Sequence, residues 1–277
     1  MWLQKRTKLL RKRTVHRFRI FYGYYFKKRT LKEPVFVICE RRTGSNMLLS
    51  CLNSIPGAFF AGEILNKSMH YGLRRRFISK KSVLRHLVHS IHHCEQDVCG
   101  AKLVRTQMEA HGIGPSHLKA LFPNARFIIL YRKSLLDQFV SLKIAEMTDA
   151  WQWTRGFKMP SSLRISLPEF ERYCQKTKAF YEELFRQDWL GDCSLVLSYE
   201  DLAGDAQDVF EESVFPFLKL PVAVVQNGLI KQNTRDLREL IENYEEIELF
   251  VHHPSARQEY PTQRRASEFL DQVTRVA

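Results

Sequence analysis

A short polar turn between two apolar runs carries the side chains best suited to bind an anion. The run Val35–Cys39 is apolar and rich in β-branched and aromatic residues, which predicts a buried strand. Gly44 allows a close backbone approach, and the residues after it predict the start of a helix, where free amides attract phosphate-like anions. Full positive charges precede the glycine. The predicted ligands of this anion site are Arg41, Arg42, Thr43, Gly44, Ser45 and Asn46.

This turn differs from the phosphate-binding P-loop, whose pattern is G-x-x-x-x-G-K-[ST]. The first glycine and the lysine after Gly44 are both missing, which argues against a site for a nucleoside triphosphate and its magnesium ion. The segment Arg42–Asn46 instead resembles, position by position, the 5′-phosphosulfate loop of sulfotransferases that use 3′-phosphoadenosine 5′-phosphosulfate (PAPS). For this motif alone, an ordinary strand-turn-helix with surface arginines is the alternative.

A second match to the same family lies at another junction between a strand and a helix. The run 125–131 predicts a buried strand that ends at Arg132, and residues 134–146 predict the next helix. This junction holds the 3′-phosphate in the family, and the resemblance assigns that role to Arg132 and Ser141. An arginine can pair with a phosphate through two hydrogen bonds, and a hydroxyl can add another. The alternative is a strand end and a helix residue without a ligand.

Later segments extend the resemblance to roughly residues 34–250. The run Tyr199–Leu202 and the segment 231–244 are similar to the family, and the latter is similar to the bacterial branch that sulfates trehalose, nodulation factors and related glycans. Lys231 is a candidate for one more phosphate contact. The resemblance therefore implies a PAPS-dependent sulfotransferase of this carbohydrate-sulfating branch.

Sulfuryl transfer is an in-line displacement that needs positioning, charge neutralisation and a base. In the trehalose-type branch the base is a glutamate shortly after the second strand, and Glu63 has that place after the predicted strand 58–61. The resemblance thus implies Glu63 as the catalytic base and Arg42 as the group that meets the charge of the leaving phosphate. His111 is the fallback base, and Lys102 is a candidate for contact with the sulfuryl group. An ion pair with an arginine is the alternative role for Glu63.

The positive charge of the chain is concentrated at its N-terminus. The formal net charge is +13, and residues 1–30 contain eleven lysines and arginines without an acid, so 13 minus 11 leaves +2 for the rest. We interpret this as a basic arm (1–30) before a nearly neutral domain (31–277), which makes nucleic acid an unfavoured partner. Interleaved apolar residues favour an interfacial helix on an anionic membrane, with a disordered arm or an organellar transit peptide as alternatives. No apolar run reaches the roughly 18 residues of a transmembrane helix.

The six cysteines lack the spacing of a disulfide framework or a zinc site. They are predicted to be buried free thiols in a reducing compartment, which agrees with a cytoplasmic protein. Several histidines between residues 82 and 93 have helical spacing, but no matching cysteines or carboxylates accompany them. We expect a solvated helix face there, and the sequence predicts no metal.

The apolar runs and the resemblance together predict an α/β protein with a three-layer, P-loop-like fold, in which helices flank a central, mainly parallel sheet. The expected activity moves a sulfuryl group from PAPS to a hydroxyl of a carbohydrate or glycolipid and releases adenosine 3′,5′-bisphosphate (PAP). Segments 64–80 and 147–167 are expected to contact the acceptor, through Trp151, Trp153 and Phe157 in the second. The alternatives are a P-loop kinase or nucleoside triphosphatase, and a non-catalytic protein whose basic arm binds membrane or nucleic acid.

Overall fold

The structure is a computed structural model that describes residues 33–66, 79–92, 96–151, 159–228 and 235–252. Its strands are β1 (Val35–Cys39), β2 (Ala58–Glu63), β3 (Val98–Val104), β4 (Arg126–Tyr131) and β5 (Ser194–Ser198). Its helices are α1 (Ser45–Ser54), α2 (Lys80–His92), α3 (Arg105–Ala110), α4 (Pro115–Leu121), α5 (Leu135–Thr148), α6 (Leu167–Phe185), α7 (Tyr199–Gly204), α8 (Ala206–Val209), α9 (Phe215–Leu218), α10 (Leu237–Leu240) and α11 (Tyr244–His252). A 3-10 turn (Asp188–Cys193) precedes β5, and a π-helical turn (Phe210–Val214) joins α8 to α9.

The strands form one parallel sheet in the order β2, β3, β1, β4, β5, which confirms the predicted fold class. β1 lies at the centre, and Cys39 at its end is level with Val104 of β3 and Leu130 of β4. The chain continues from β1 to one side of the sheet and later crosses to the other side. The carboxyl end of β1 is therefore the topological switch point, where open α/β sheets bind their ligands.

The uninterrupted apolar run of β1 serves both faces of the sheet. Phe36 and Ile38 pack in a core cluster with residues of α2, α4 and α6. Val35 and Val37 point to the opposite face and pack with α1 and the helices that follow β5. Successive strand residues face opposite sides, so a strand covered by helices on both sides is apolar throughout. This arrangement is the predicted three-layer fold.

Two local predictions need correction. β2 continues to Glu63, which is the last residue of the strand rather than a residue after it. β3 runs directly into α3, so His111 follows a helix and not a strand. No glycine or proline separates β3 from α3 in the sequence, which is why the helix was not expected.

The cysteines correct another prediction. Cys99 in β3 is disulfide-bonded, whereas Cys39, Cys51, Cys174 and Cys193 are free. Cys94 lies outside the described residues. Burial raises the pKa of both the Cys39 and the Cys51 thiols to about 11, which makes them poor nucleophiles at neutral pH. The prediction of free thiols is therefore confirmed for four cysteines and wrong for Cys99.

Three other expectations concern membranes, metals and the N-terminal arm. No helix in the described ranges is long and apolar enough to cross a membrane. Within the same part of the chain, no group of three or more His, Cys, Asp or Glu side chains is placed to hold a metal ion. The basic arm (1–30) and residues 67–78 of the predicted acceptor segment lie outside the described residues.

Candidate active site

The turn after β1 presents the N-terminus of α1 at the switch point of the sheet. Arg42 (φ 63°) and Gly44 (φ 76°) have left-handed backbone conformations that turn the chain into α1. A Cβ atom at position 44 would overlap the ring of Tyr199, so the site needs glycine for both its conformation and its size. No side chain in the described ranges caps α1. Its first amides are therefore not occupied by a capping side chain, which is compatible with the anion site that the sequence predicts for this loop.

Buried polar side chains hold this loop from the inside. Thr43 is fully buried, and its hydroxyl donates to the main-chain oxygen of Glu40 at 2.9 Å. Gln138 of α5 is also fully buried, and its Nε2 donates to the main-chain oxygen of Arg41 at 2.7 Å. The side chains of Thr43 and Gln138 thus support the loop, and the backbone of the loop is left to meet a ligand.

The structure brings together Arg42, Ser141 and Arg132, which lie far apart in the sequence. Arg42 Nε donates to Ser141 Oγ at 2.9 Å, and Arg132 Nη1 donates to the main-chain oxygen of Arg42 at 3.3 Å. Burial lowers the pKa of Arg42, and the nearby charge of Arg132 lowers it further. The charge of Arg132 thus disfavours the charged form of Arg42, and an anionic ligand near both arginines would offset that effect.

Arg132 is buried against an aromatic ring and two carboxylates. Its guanidinium carbon lies 4.7 Å from the centroid of the Tyr199 ring, an arrangement that favours a cation over an aromatic face. Asp137 Oδ1 lies 3.5 Å from Nη2, and Glu200 Oε1 lies 3.8 Å from Nε. The sequence drew attention to Tyr199 and Glu200 only as part of a family-like run. The structure shows that Tyr199 contacts both halves of the site, since it lies beside Gly44 and over Arg132.

A second cluster connects the loop to the end of β2. Lys102, 2% exposed in β3, donates to Asn46 Oδ1 at 2.6 Å and forms an ion pair with Glu63 Oε1 at 2.9 Å. The other carboxylate oxygen of Glu63 accepts from Asn66 Nδ2 at 2.7 Å and from Gln107 Nε2 at 2.6 Å. The pairing of β2 with β3 places Glu63 opposite Lys102. Lys102 therefore links the predicted base to the predicted anion loop.

The surroundings of Glu63 keep its carboxylate ionised. Burial alone would raise its pKa, but the charge of Lys102 and the hydrogen bonds from Asn66, Lys102 and Gln107 bring the pKa below its ordinary value. The side chain of Glu63 is still 19% exposed. An ionised and oriented carboxylate on a partly exposed side chain can accept a proton from a hydroxyl group.

The other predicted site residues lie around these two clusters. The Arg41 guanidinium extends to α5, where Nη1 lies 3.8 Å from Glu146 Oε1. Ser45 is buried in the first turn of α1. The His111 ring contacts the main-chain oxygen of Leu65 at 3.3 Å. Three further predicted residues lie outside the described part of the chain: Trp153, Phe157 and Lys231.

Trp151 is the one predicted acceptor contact that the described residues include. Its main-chain oxygen accepts from Arg42 Nη1 at 2.9 Å, and its indole Nε1 donates to Asp149 Oδ1 at 3.0 Å. The ring is 41% exposed. The backbone of Trp151 therefore contacts the arginine that is predicted to meet the leaving phosphate, while its partly exposed side chain binds Asp149.

A buried ion pair at the start of the loop was not predicted from the sequence. Glu40 follows β1 and is 1% exposed, and its Oε2 pairs with Nε of Arg105, the first residue of α3. Burial lowers the pKa of Arg105, but the charge of Glu40 and hydrogen bonds to Glu109 and Glu40 raise it overall. The available signal was a charged residue directly after each of two apolar strands. Because β1 and β3 are neighbours, these two residues meet at the same edge of the sheet.

A comparison with protein-family models identifies this chain as similar to one family. The model described as "Sulfotransferase family" matches residues 34–223, which is more than half of the sequence and includes the loop, Glu63, Arg132 and Ser141. A comparison with curated proteins finds no significant match.

Solved sulfotransferase structures are similar to this chain at low sequence identity. A sulfotransferase from Alicyclobacillus acidocaldarius has a TM-score of 0.52 and 14% identity, and the match covers 80% of this chain and 92% of that one. The sulfotransferase domain of the Synechococcus PCC 7002 olefin synthase has a TM-score of 0.47 and 16% identity, with 90% and 98% covered. Mouse sulfotransferase SULT7A1 complexed with PAP has a TM-score of 0.44 and 14% identity, with 74% and 65% covered. Only the first fit is close enough to support the fold.

Proposed function

The chain belongs to the sulfotransferase family, and we propose that it transfers a sulfuryl group from PAPS to a hydroxyl group of its acceptor. The family supports sulfuryl transfer as the class of reaction. The observation that carries the choice of donor is the contact of Arg42 with both Ser141 and Arg132 at the N-terminus of α1. In this proposal the two arginines provide neighbouring anion sites, which suit a nucleotide that carries phosphate groups on the 3′ and 5′ oxygens of one ribose.

In this proposal the two halves of the site hold the two ends of the donor. Arg42 and the first amides of α1 neutralise the charge that develops on the 5′-phosphate as it leaves. Arg132 and Ser141 bind the 3′-phosphate, which distinguishes PAPS from adenine nucleotides without that group. Arg41 and Lys231 remain candidates for further phosphate contacts.

Glu63 supplies the base in the proposed reaction. The acceptor oxygen forms a bond to sulfur, the bond from sulfur to the 5′-phosphate oxygen breaks, and the acceptor proton moves to the Glu63 carboxylate. Lys102, Asn66 and Gln107 hold that carboxylate in one orientation through the three contacts described above. Because Lys102 also binds Asn46, it fixes the base relative to the donor loop.

The acceptor that we propose is a hydroxyl of a carbohydrate or glycolipid. The resemblance of the chain to the bacterial glycan-sulfating branch supports it. The exposed Trp151, whose main-chain oxygen binds Arg42, also supports it, because an aromatic face can pack on the C–H face of a sugar. A basic arm on an anionic membrane would keep the enzyme close to a lipid-linked acceptor.

Calorimetric titration of the full chain with PAP, and separately with ATP and magnesium, tests this proposal against a kinase or nucleoside triphosphatase. We expect PAP to bind at least about tenfold more tightly, since both of its phosphates have a charged partner here. Tighter binding of ATP with magnesium would favour the kinase alternative. If neither nucleotide binds, and deletion of residues 1–30 abolishes a salt-dependent interaction with anionic vesicles, the non-catalytic alternative is favoured.

A further inference from the structure

Glu40 places a carboxylate inside the loop that is proposed to bind a phosphate. It is 1% exposed, and its Oε1 accepts a hydrogen bond from the main-chain amide of Arg41 at 2.8 Å. Its own amide donates to the Tyr181 hydroxyl at 3.3 Å, and that hydroxyl donates to the main-chain oxygen of Leu130 at 2.8 Å. Through Tyr181, these contacts attach the first residues of the loop after β1 to the neighbouring strand β4.

A buried negative charge at this point opposes the binding of an anion. In a medium of low dielectric constant the repulsion between a carboxylate and a phosphate is weakly screened. The carboxylate nevertheless has a use, since Oε1 orients the Arg41 amide. A cation that pairs with Glu40 would remove the repulsion and leave that hydrogen bond in place.

Arg105 is placed to do this. Its Nε pairs with Glu40 Oε2, the oxygen that does not bind the Arg41 amide, and its side chain is 11% exposed. Its Nη1 binds Glu109 on the solvent side at 2.8 Å, and its guanidinium carbon lies 6.0 Å from the centroid of the Phe180 ring. The guanidinium is thus held from three directions with its charge directed at Glu40.

We propose that Arg105 is a positioning residue for the 5′-phosphate site, and that it acts by neutralising Glu40 and so keeping the loop receptive to an anion. This inference rests on the proposed function, because it assumes that the loop binds the 5′-phosphate of the donor. In this proposal Arg105 acts through Glu40 and does not touch the donor, whereas Arg42 and Arg132 are proposed to contact the donor directly.

The test is a set of variants of the full chain titrated with PAP and with 5′-AMP in a calorimeter. Arg105→Leu leaves Glu40 unpaired and should weaken the binding of both ligands by the same factor, at least about tenfold, because both carry the 5′-phosphate. Glu40→Gln combined with Arg105→Leu removes the charge and should recover most of the affinity. Glu109→Gln is the matched control, since it removes the exposed partner of the same arginine and should change affinity less than about twofold.

Other results would overturn the proposal. If Arg105→Leu binds both ligands like the wild type, or if the double variant binds as weakly as Arg105→Leu, Arg105 does not act through the charge of Glu40. If Arg105→Leu does not fold, the double variant is compared with Glu40→Gln alone. Neither protein has a charge at position 40, so the proposal expects equal affinity for PAP. A tenfold weaker affinity of the double variant would therefore also overturn the proposal. A wild type that binds neither ligand would instead defeat the proposed function.

Discussion

Replacing Lys102 with methionine tests the link between the predicted base and the donor loop. The change keeps the aliphatic stem in β3 and removes the ammonium group, which lies 2.9 Å from Glu63 Oε1 and 2.6 Å from Asn46 Oδ1. The charge of Lys102 lowers the pKa of the Glu63 carboxyl group, so that pKa should rise when the ammonium group is removed. Breaking a buried pair costs about 3–5 kcal/mol, and we expect the lower end because Asn66 and Gln107 still bind Glu63.

The loss in the free energy of unfolding caused by Lys102→Met should depend on pH in a defined direction. The pKa of Glu63 is depressed in the folded protein, so its ionic contacts stabilise the fold above the ordinary value of 4.5 and lose that effect as the pH falls through the folded-state pKa. The difference in the free energy of unfolding between wild type and variant should therefore be largest near neutral pH and shrink below the ordinary value.

Urea unfolding at several pH values, with carbon NMR titration of glutamate carboxyls, measures both quantities. The Glu63 signal is identified by its loss in Glu63→Gln. Lys133→Met is the matched control, because Lys133 pairs with Asp201 but its side chain is 45% exposed, so it should cost less than about 1 kcal/mol. An unchanged pKa of Glu63, or a Lys102→Met cost that does not vary with pH, would refute this reasoning.

Two further substitutions test the base and the loop. Glu63→Gln should reduce the transfer of labelled sulfuryl groups from PAPS to a panel of sugar and glycolipid acceptors by about 10²- to 10⁴-fold. The affinity for PAP should be nearly unchanged. Transfer at the wild-type rate would show that Glu63 is not the base. Gly44→Ala should lower the free energy of unfolding by about 2–4 kcal/mol in denaturant titrations, since the left-handed backbone and the overlap with Tyr199 both oppose a Cβ atom. Gly204→Ala has open space around it and should cost less than about 1 kcal/mol, so equal losses for the two would contradict the proposed geometry.

The sequence predicted the layered fold because the relevant information is local. Val35–Cys39 and residues 127–131 are apolar without alternation and rich in β-branched or aromatic residues, which is typical of a short strand covered on both faces. The order of the strands could not be predicted in the same way. It depends on pairings such as that of β1 with β3, between segments separated by about sixty residues, which leave no local pattern.

Site residues that lie within a family motif could be predicted from the sequence. The contacts between them could not. Arg42, Arg132 and Ser141 were found through their place in family-like segments, but their mutual contacts depend on the packing of α5 against the loop. Lys102 was noticed, although its simultaneous contact with Asn46 and Glu63 was not.

Glu40 and Arg105 were missed for a different physical reason. A charge at the end of a strand is usually solvated, and nothing in the sequence shows that these two are buried against each other. The disulfide at Cys99 was missed because the cysteine spacing matched no disulfide framework.

The central claim is that Arg132 recognises a 3′-phosphate beside the 5′-phosphate loop, and the most direct test compares PAP with 5′-AMP on wild type and Arg132→Ala. Charge-assisted hydrogen bonds contribute about 1.5–3 kcal/mol each. Calorimetry should therefore show about 10- to 100-fold weaker binding of PAP to the variant and less than about a twofold change for 5′-AMP. An equal loss for both ligands, or an undiminished preference for PAP, would contradict the assignment.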